Sequence, residues 1–259
     1  MINTHIQPTA QISASAKLAP DVEVGHYSII GPEVTIGSGT QVGEHCVITG
    51  KTSLGKNCRI FTGAVIGSIP QDLKYKGEET KLVIGDNNII REYVTINLGT
   101  SASGKTLIGN NNLIMAYAHI AHDCVIGNHV VIANVGTLAG HIEIEDRAIL
   151  GGLAAVHQFV RIGTLSIVGG CSKVNQDIPP YSLCDGNPVK VRSLNRVGLE
   201  RSGITKATKT NLKHAFTILF HSGLSFPHAI KKVQEELPAS PEITHLINFI
   251  QNSQRGVCR

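Results

Sequence analysis

An all-β solenoid followed by a short α-helical tail is the fold class that this sequence predicts, and three observations carry it. Aliphatic residues recur every six positions from Ile6 to Val174. Phe and Tyr make up only 4% of the 259 residues and Trp is absent, while Gly numbers 27. Beyond that stretch the six-residue period gives way to helical spacing. A helix of period 3.6 cannot keep a six-residue repeat on one face, whereas short strands joined by tight turns can.

The elements follow in order from the register. Every multiple of six from Ile6 to Val174 is Ile, Leu or Val except Asp72, Glu78 and Ala102. Three short strands make a triangular coil of 18 residues, and coils stacked about 4.8 Å apart build a prism lined with aliphatic ladders. Each buried aliphatic contributes roughly 1.5–3 kcal/mol. Bulky aromatics do not fit so narrow a triangle, which accounts for the composition. Gly follows the aliphatic at 12 positions, among them Gly25, Gly55, Gly109 and Gly151, and is expected there to let the chain bend tightly. Four positions after the aliphatic sits a small residue or Val, such as Thr40, Cys46, Cys58, Cys124, Val130 or Ala148. By strand parity this slot also faces inward.

The register breaks at 68–83 and at about 98–107, both polar stretches after which it resumes in phase, so both are expected as loops leaving the prism. Pro179, Pro180, Gly186 and Pro188 mark the boundary of a first domain, 1–186. In 187–259 the stripes Leu212/Ala215/Phe216/Leu219/Phe220, Ala229/Ile230/Val233/Leu237 and Leu246/Ile247/Phe249/Ile250 predict a small helical domain. Charge divides at the same place: 12 Lys/Arg against 15 Asp/Glu up to Gly186, then 11 against 4. The basic tail suits an acidic partner or phosphates as well as plain solvation. The total of +4 does not imply nucleic acid. No apolar run reaches the roughly 20 residues of a membrane span, and the start, MINTHIQPTAQ, lacks the basic and apolar regions of a leader. Six cysteines without CxxC or paired spacing suit reduced thiols in a cytoplasm.

Four of the 12 histidines, His119, His122, His141 and His157, fall in consecutive coils, and none occupies an inward slot. The coil length allows columns to be read: His122 stands beside Gly140, and Asp123 beside His141. A histidine, a neighbouring carboxylate and a glycine N–H are parts for general-base catalysis with an oxyanion donor. No Ser or Cys has a comparable setting, which favours direct attack by a substrate hydroxyl over a covalent acyl-enzyme. Surface histidines without a role, and a zinc site of the kind found in γ-class carbonic anhydrases on the same prism, remain open alternatives. The spacing of three in HIAHD differs from the five of that class.

The motifs PQDLKYKGE (70–78), AHIAHDC (118–124), TLAGH (137–141), AVHQF (155–159), VGGCS (168–172) and QDIPPY (176–181) resemble those of a hexapeptide-repeat family, the acyl-carrier-protein:UDP-N-acetylglucosamine O-acyltransferases. The likeness spans the chain. It implies a left-handed parallel β-helix, and the handedness rests on the resemblance alone, because parallel crossovers are otherwise right-handed. It further implies a cytoplasmic homotrimer of a Gram-negative bacterium, with active sites between prisms, opening lipid A biosynthesis. Acyl carrier protein with its phosphopantetheine arm is the implied donor substrate and a UDP-sugar the acceptor, with no cofactor and no metal.

By motif, the resemblance makes His122 the general base, Asp123 its support and Gly140 the oxyanion donor. Gln71, Asp72 and Lys74 from the first loop, His119, His141, His157, Gln158 and Arg201 are the implied substrate contacts, with Lys74 reaching a neighbouring subunit. Gly170 matches the position that limits acyl length; with Ala116, Asn134 and Gly152 it forms a column of mostly small residues, so a long 3-hydroxyacyl donor is expected. Ser202, Val197, Asn97, Leu98 and Val135 depart from the commonest pattern of the family and bear on nucleotide and sugar contacts. Acylation of a 3-amino sugar nucleotide and a sibling N-acyltransferase are the alternatives; the sibling carries an additional N-terminal domain, whereas Ile6 already begins the repeat. A non-catalytic scaffold or ice-binding prism would present a flat row of Thr, and no such row occurs.

Overall fold

The computed structural model describes residues 5–259; Met1–Thr4, part of the start that was read as lacking a leader, lie outside the described residues. Three sheets of nine, eight and ten strands form the walls of a triangular prism, and each strand but the last pairs with one a coil away. All pairings within the coils are parallel, as in Gln11↔Ile29 and Val131↔Ile149, 18 residues apart. Most strands are two residues long, the second being the inward aliphatic. Ile30, Ile48, Ile66, Ile96, Ile114, Ile120 and Ile132 are each at most 1% exposed. The second inward slot is equally closed: Thr40, Cys46, Cys58, Cys124, Val130 and Ala148 are buried. Its polar members bond across coils: the Cys58 N–H donates to Thr40 Oγ1 (3.0 Å) and the Val130 N–H to Asn112 Oδ1 (2.7 Å).

The glycines beside the aliphatics serve a different purpose from the one expected. The left-handed corner conformation belongs two residues later, mostly to non-glycine residues such as Tyr27 (φ 59°), Asn57 (φ 52°), Asp123 (φ 59°) and Leu153 (φ 59°). Each left-handed residue costs about 1–2 kcal/mol. The cost is borne because its N–H is donated to the coil below, as from Asn57 to Ser38 O (2.9 Å) and from Leu153 to Asn134 O (3.0 Å). Glycine is needed beside the aliphatic for space: a Cβ on Gly25 would lie 2.6 Å from the Gly43 carbonyl carbon, and one on Gly151 2.6 Å from the Gly170 nitrogen.

Both excursions are narrower than the sequence suggests. Strands Val65–Ser68 and Lys81–Ile84 flank a loop at 69–80, and strands Thr95–Asn97 and Lys105–Ile108 flank one at 98–104. The flanking residues extend the ladders instead of leaving them. Asn97 and Leu98 are buried; the Asn97 amide donates to Ile69 O (3.2 Å), tying the second excursion to the first.

The change from strand to helix comes later than the boundary expected at Gly186. Lys190–Leu194 folds back antiparallel on Ser182–Asp185 after the turn at Pro188, adding an edge strand to the ten-stranded sheet. Four helices follow: α1 (Arg196–Arg201), α2 (Lys206–His221), α3 (Phe226–Glu236) and α4 (Pro241–Gln251). Asn195, Thr205 and Ser240 cap α1, α2 and α4 through their side chains. The predicted stripes face one another, with Leu212, Ala215, Leu219, Ala229, Val233 and Leu246 at most 1% exposed. After α4 the chain returns to the prism. There Asp177 N–H donates to Gly256 O (2.8 Å), Cys258 N–H to Asp177 O (3.0 Å) and Ser253 Oγ to Asp177 Oδ2 (2.7 Å). The tail and the prism share one hydrophobic core.

Candidate active site

The site lies on the corners that follow strands His119–Ile120, Thr137–Leu138 and Ala155–Val156, stacked neighbours in one sheet. Asp123 sits at such a corner, with a fully buried side chain. The excursion at 98–104 replaces the ordinary coil beneath it, so its N–H goes to Thr106 Oγ1 (2.9 Å) and its carboxylate meets the loop. Oδ1 accepts from Thr100 N–H (2.9 Å) and from the Ser103 hydroxyl; Oδ2 accepts from Thr100 Oγ1 (2.6 Å) and from His122 Nδ1 (2.8 Å). Burial alone would raise the carboxyl pKa, but the Ser103, Thr100 and His122 donors outweigh it and hold the group at about 2. Asp123 is therefore an anion that only accepts. The shared proton belongs on His122 Nδ1, and Nε2 keeps its lone pair.

Gly140 faces that lone pair from the next coil, as the column arithmetic requires. A Cβ on Gly140 would lie 2.5 Å from His122 Cε1 and 2.7 Å from Nε2, so only glycine fits. The residue is buried, and among the described residues nothing accepts its N–H. A buried N–H without an acceptor is costly, and here it belongs to the glycine packed against the His122 ring.

His141 packs edge-on against His122 (ring centroids 5.1 Å apart, planes at 88°) and stacks on Phe159 (4.5 Å, 9°). Its Nε2 is 3.7 Å from Asp123 Oδ2. Desolvation holds the His141 pKa down, with His122 acting in the same direction and Asp123 and Asp72 opposing. His119 contacts Thr95 (Nδ1 to Oγ1, 2.7 Å), and desolvation, then His122, lowers its pKa as well. Burial thus favours the neutral form of both rings.

His157 is exposed in the following coil, with the Arg255 guanidinium 3.2 Å from its Nδ1. Gln71, Lys74, Gln158 and Arg201 are exposed, and their side chains make no hydrogen bond or ion pair among the described residues. Gly170 is exposed, with only the backbone of Gly152 within 4 Å of where its Cβ would be. Thr100, Ser103 and Phe159 were not singled out from the sequence. The run of hydroxyl residues in the second loop was the available signal.

His122, Asp123 and His141 offer three ligand atoms within 4.8 Å of one another. The Asp123 oxygens already accept four hydrogen bonds, about what a carboxylate can take. The donor set suits an oriented imidazole better than a metal ligand shell.

Known proteins give this geometry its context. Residues 177–258 match the family model described as UDP N-acetylglucosamine O-acyltransferase, domain 2, and residues 105–136 match the bacterial transferase hexapeptide model. The chain is 54% identical to an acyl-[acyl-carrier-protein]–UDP-N-acetylglucosamine O-acyltransferase of Paracidovorax citrulli, covering 98% of this chain and 99% of that one. It belongs to that family of O-acyltransferases. The family member of Myxococcus xanthus is 50% identical over 98% of this chain and 99% of its own. The solved LpxA of Acinetobacter baumannii superposes with a TM-score of 0.95 at 44% identity, covering 98% of this chain and 100% of that one. A UDP-N-acetylglucosamine acyltransferase of Bacteroides fragilis superposes with a TM-score of 0.95 at 43% identity, covering 98% and 99%. As the superpositions show, the prism is the left-handed parallel β-helix of these O-acyltransferases, with helices at its C-terminal end.

Proposed function

We propose that this chain transfers a long 3-hydroxyacyl group from acyl carrier protein to the 3-hydroxyl of UDP-N-acetylglucosamine, the first step of lipid A biosynthesis. The observation that carries the reading is the His122–Asp123 pair packed against Gly140, whose N–H has no acceptor among the described residues. His122 Nε2 takes the hydroxyl proton as the sugar oxygen attacks the thioester carbonyl. The oxyanion so formed is met by the Gly140 N–H. Collapse breaks the C–S bond, and the leaving thiolate takes the proton back from the His122 imidazolium. Asp123 stabilises that imidazolium without being protonated. Cys124, adjacent in sequence, is no nucleophile: burial pushes its thiol up to about 12 and its side chain faces the core.

His119, His141, His157 and Gln158 serve as contacts to sugar or thioester, and Gln71, Asp72 and Lys74 as contacts from the first excursion. Arg201 adds a cation from α1. The enzyme works as a cytoplasmic homotrimer, with Lys74 reaching a neighbouring cleft, and uses no cofactor. No helix among the described residues is long and apolar enough to cross a membrane. The open column at Gly152 and Gly170 supports a long acyl chain. The direct test is a panel of 3-hydroxyacyl carrier proteins of different lengths with UDP-N-acetylglucosamine and its 3-amino analogue, products identified by mass spectrometry. An ester at the 3-position is expected. Absence of transfer to either acceptor, or an amide alone, overturns the reading.

A further inference from the structure

The last residues of the chain run back along the end of the prism and bring one cation to the acyl-transfer site. Arg255 Nη2 lies 3.2 Å from His157 Nδ1 and 3.2 Å from Asn175 O. Its Nε is buried without a partner, and among the described residues no carboxylate pairs with it. Anchoring the tail does not require this side chain, because Ser253, Gly256 and Cys258 already bond to Asp177.

A guanidinium donates and never accepts, so a hydrogen bond at this distance requires an unprotonated Nδ1 on His157. The competing arrangement, in which Nδ1–H donates to Gln158 O at 3.3 Å, would set two donors face to face at 3.2 Å beside a positive charge. Electrostatics therefore selects the ring form whose proton is on Nε2. His122 is fixed the other way round by Asp123, with Nδ1–H and a free Nε2. Two histidines of one site are thus held in opposite tautomers, one as proton acceptor and one as hydrogen-bond donor.

We propose that Arg255 is a positioning residue of this site: it fixes His157 as the neutral Nε2–H tautomer, so that His157 donates to an oxygen of the bound substrate. The proposal rests on the reading of His157 as a substrate contact. It is tested in the full-length protein with 15N-labelled histidine, the His157 signals being assigned against His157→Gln, together with steady-state kinetics using 3-hydroxyacyl carrier protein and UDP-N-acetylglucosamine. The wild type should show Nε2–H at His157. Arg255→Met should bring in the Nδ1–H form and raise KM about tenfold, as expected for one hydrogen bond lost from ground and transition states alike, with a smaller change in kcat. Arg255→Lys, which keeps a cationic donor, should restore most of the tautomer preference. Ser253→Ala, which removes a tail anchor away from His157, should change neither readout. Protonated Nδ1 in the wild type, an Arg255→Met variant with unaltered tautomer and KM, or a Ser253→Ala variant that reproduces the loss overturns the proposal. A wild type that transfers no acyl group would sink the acyl-transfer reading instead, while the tautomer measurement still reports on Arg255.

Discussion

Asp123 carries two opposing influences, burial that disfavours its charge and four donors that favour it, and the donors prevail. The folded-state pKa lies below the unfolded value near 3.9, so the stabilisation is present above pH 4 and is lost as pH falls through about 2. It amounts to about 2 kcal/mol, and Tm measured between pH 2 and 5 should show it in the wild type and lose it in Asp123→Asn. At His122, substitution by Ala removes the base and should cut kcat about 10²–10⁴-fold while circular dichroism stays unchanged. Near wild-type turnover would rule out the mechanism. Gly140→Ala keeps the N–H but drives a methyl group to within 2.5 Å of the His122 ring. Displacing the base by an ångström should cost about 10²-fold in kcat. His122, Asp123 and Gly140 were all legible from the sequence because they lie on columns one coil apart. Thr100 and Ser103 were not, since they lie in a loop where residue number no longer encodes position.

Among the strands and corners, two kinds of position look alike in sequence and differ physically. Gly25 is required by the approach of the next coil, whereas Leu153 occupies the left-handed corner without being glycine. Gly25→Ala should therefore destabilise the protein by about 1–3 kcal/mol through overpacking. Leu153→Gly should be near neutral, because relief of the left-handed strain, about 1 kcal/mol, offsets the added chain entropy. Thermal denaturation of the pair decides between this account and one in which glycine serves the bend. Cysteines follow the same logic of place: five of the six are buried and Cys171 alone is exposed. In the folded protein at most one thiol should react promptly with a disulfide reagent, the others only on unfolding. Helix stripes in the tail were readable from spacing; the antiparallel strand Lys190–Leu194 was not, because a hairpin at the prism edge has no six-residue period to announce it.

For the whole molecule, the prism sets a fixed rise per coil, so acyl length can be gauged along it. Gly170→Met should move donor preference toward shorter chains in a competition assay, and an unchanged profile would count against the open column as the reason. If Lys74 completes a cleft on a neighbouring subunit, mixed trimers of His122→Ala and Lys74→Ala chains should recover part of the turnover that each lacks alone. No recovery would place the whole site within one chain.

By itself the sequence determined the prism, its register, the inward slots, the helical stripes and the outward histidines, because a strict period turns residue number into position. The tertiary structure decided what lies outside that period. It placed two loop hydroxyl residues on the Asp123 carboxylate, gave the left-handed corner mostly to residues other than glycine, and returned the C-terminal segment so that Arg255 meets His157. Each of these depends on where a segment free of the repeat comes to rest, and that is set by hydrogen bonds and packing between residues far apart in the chain.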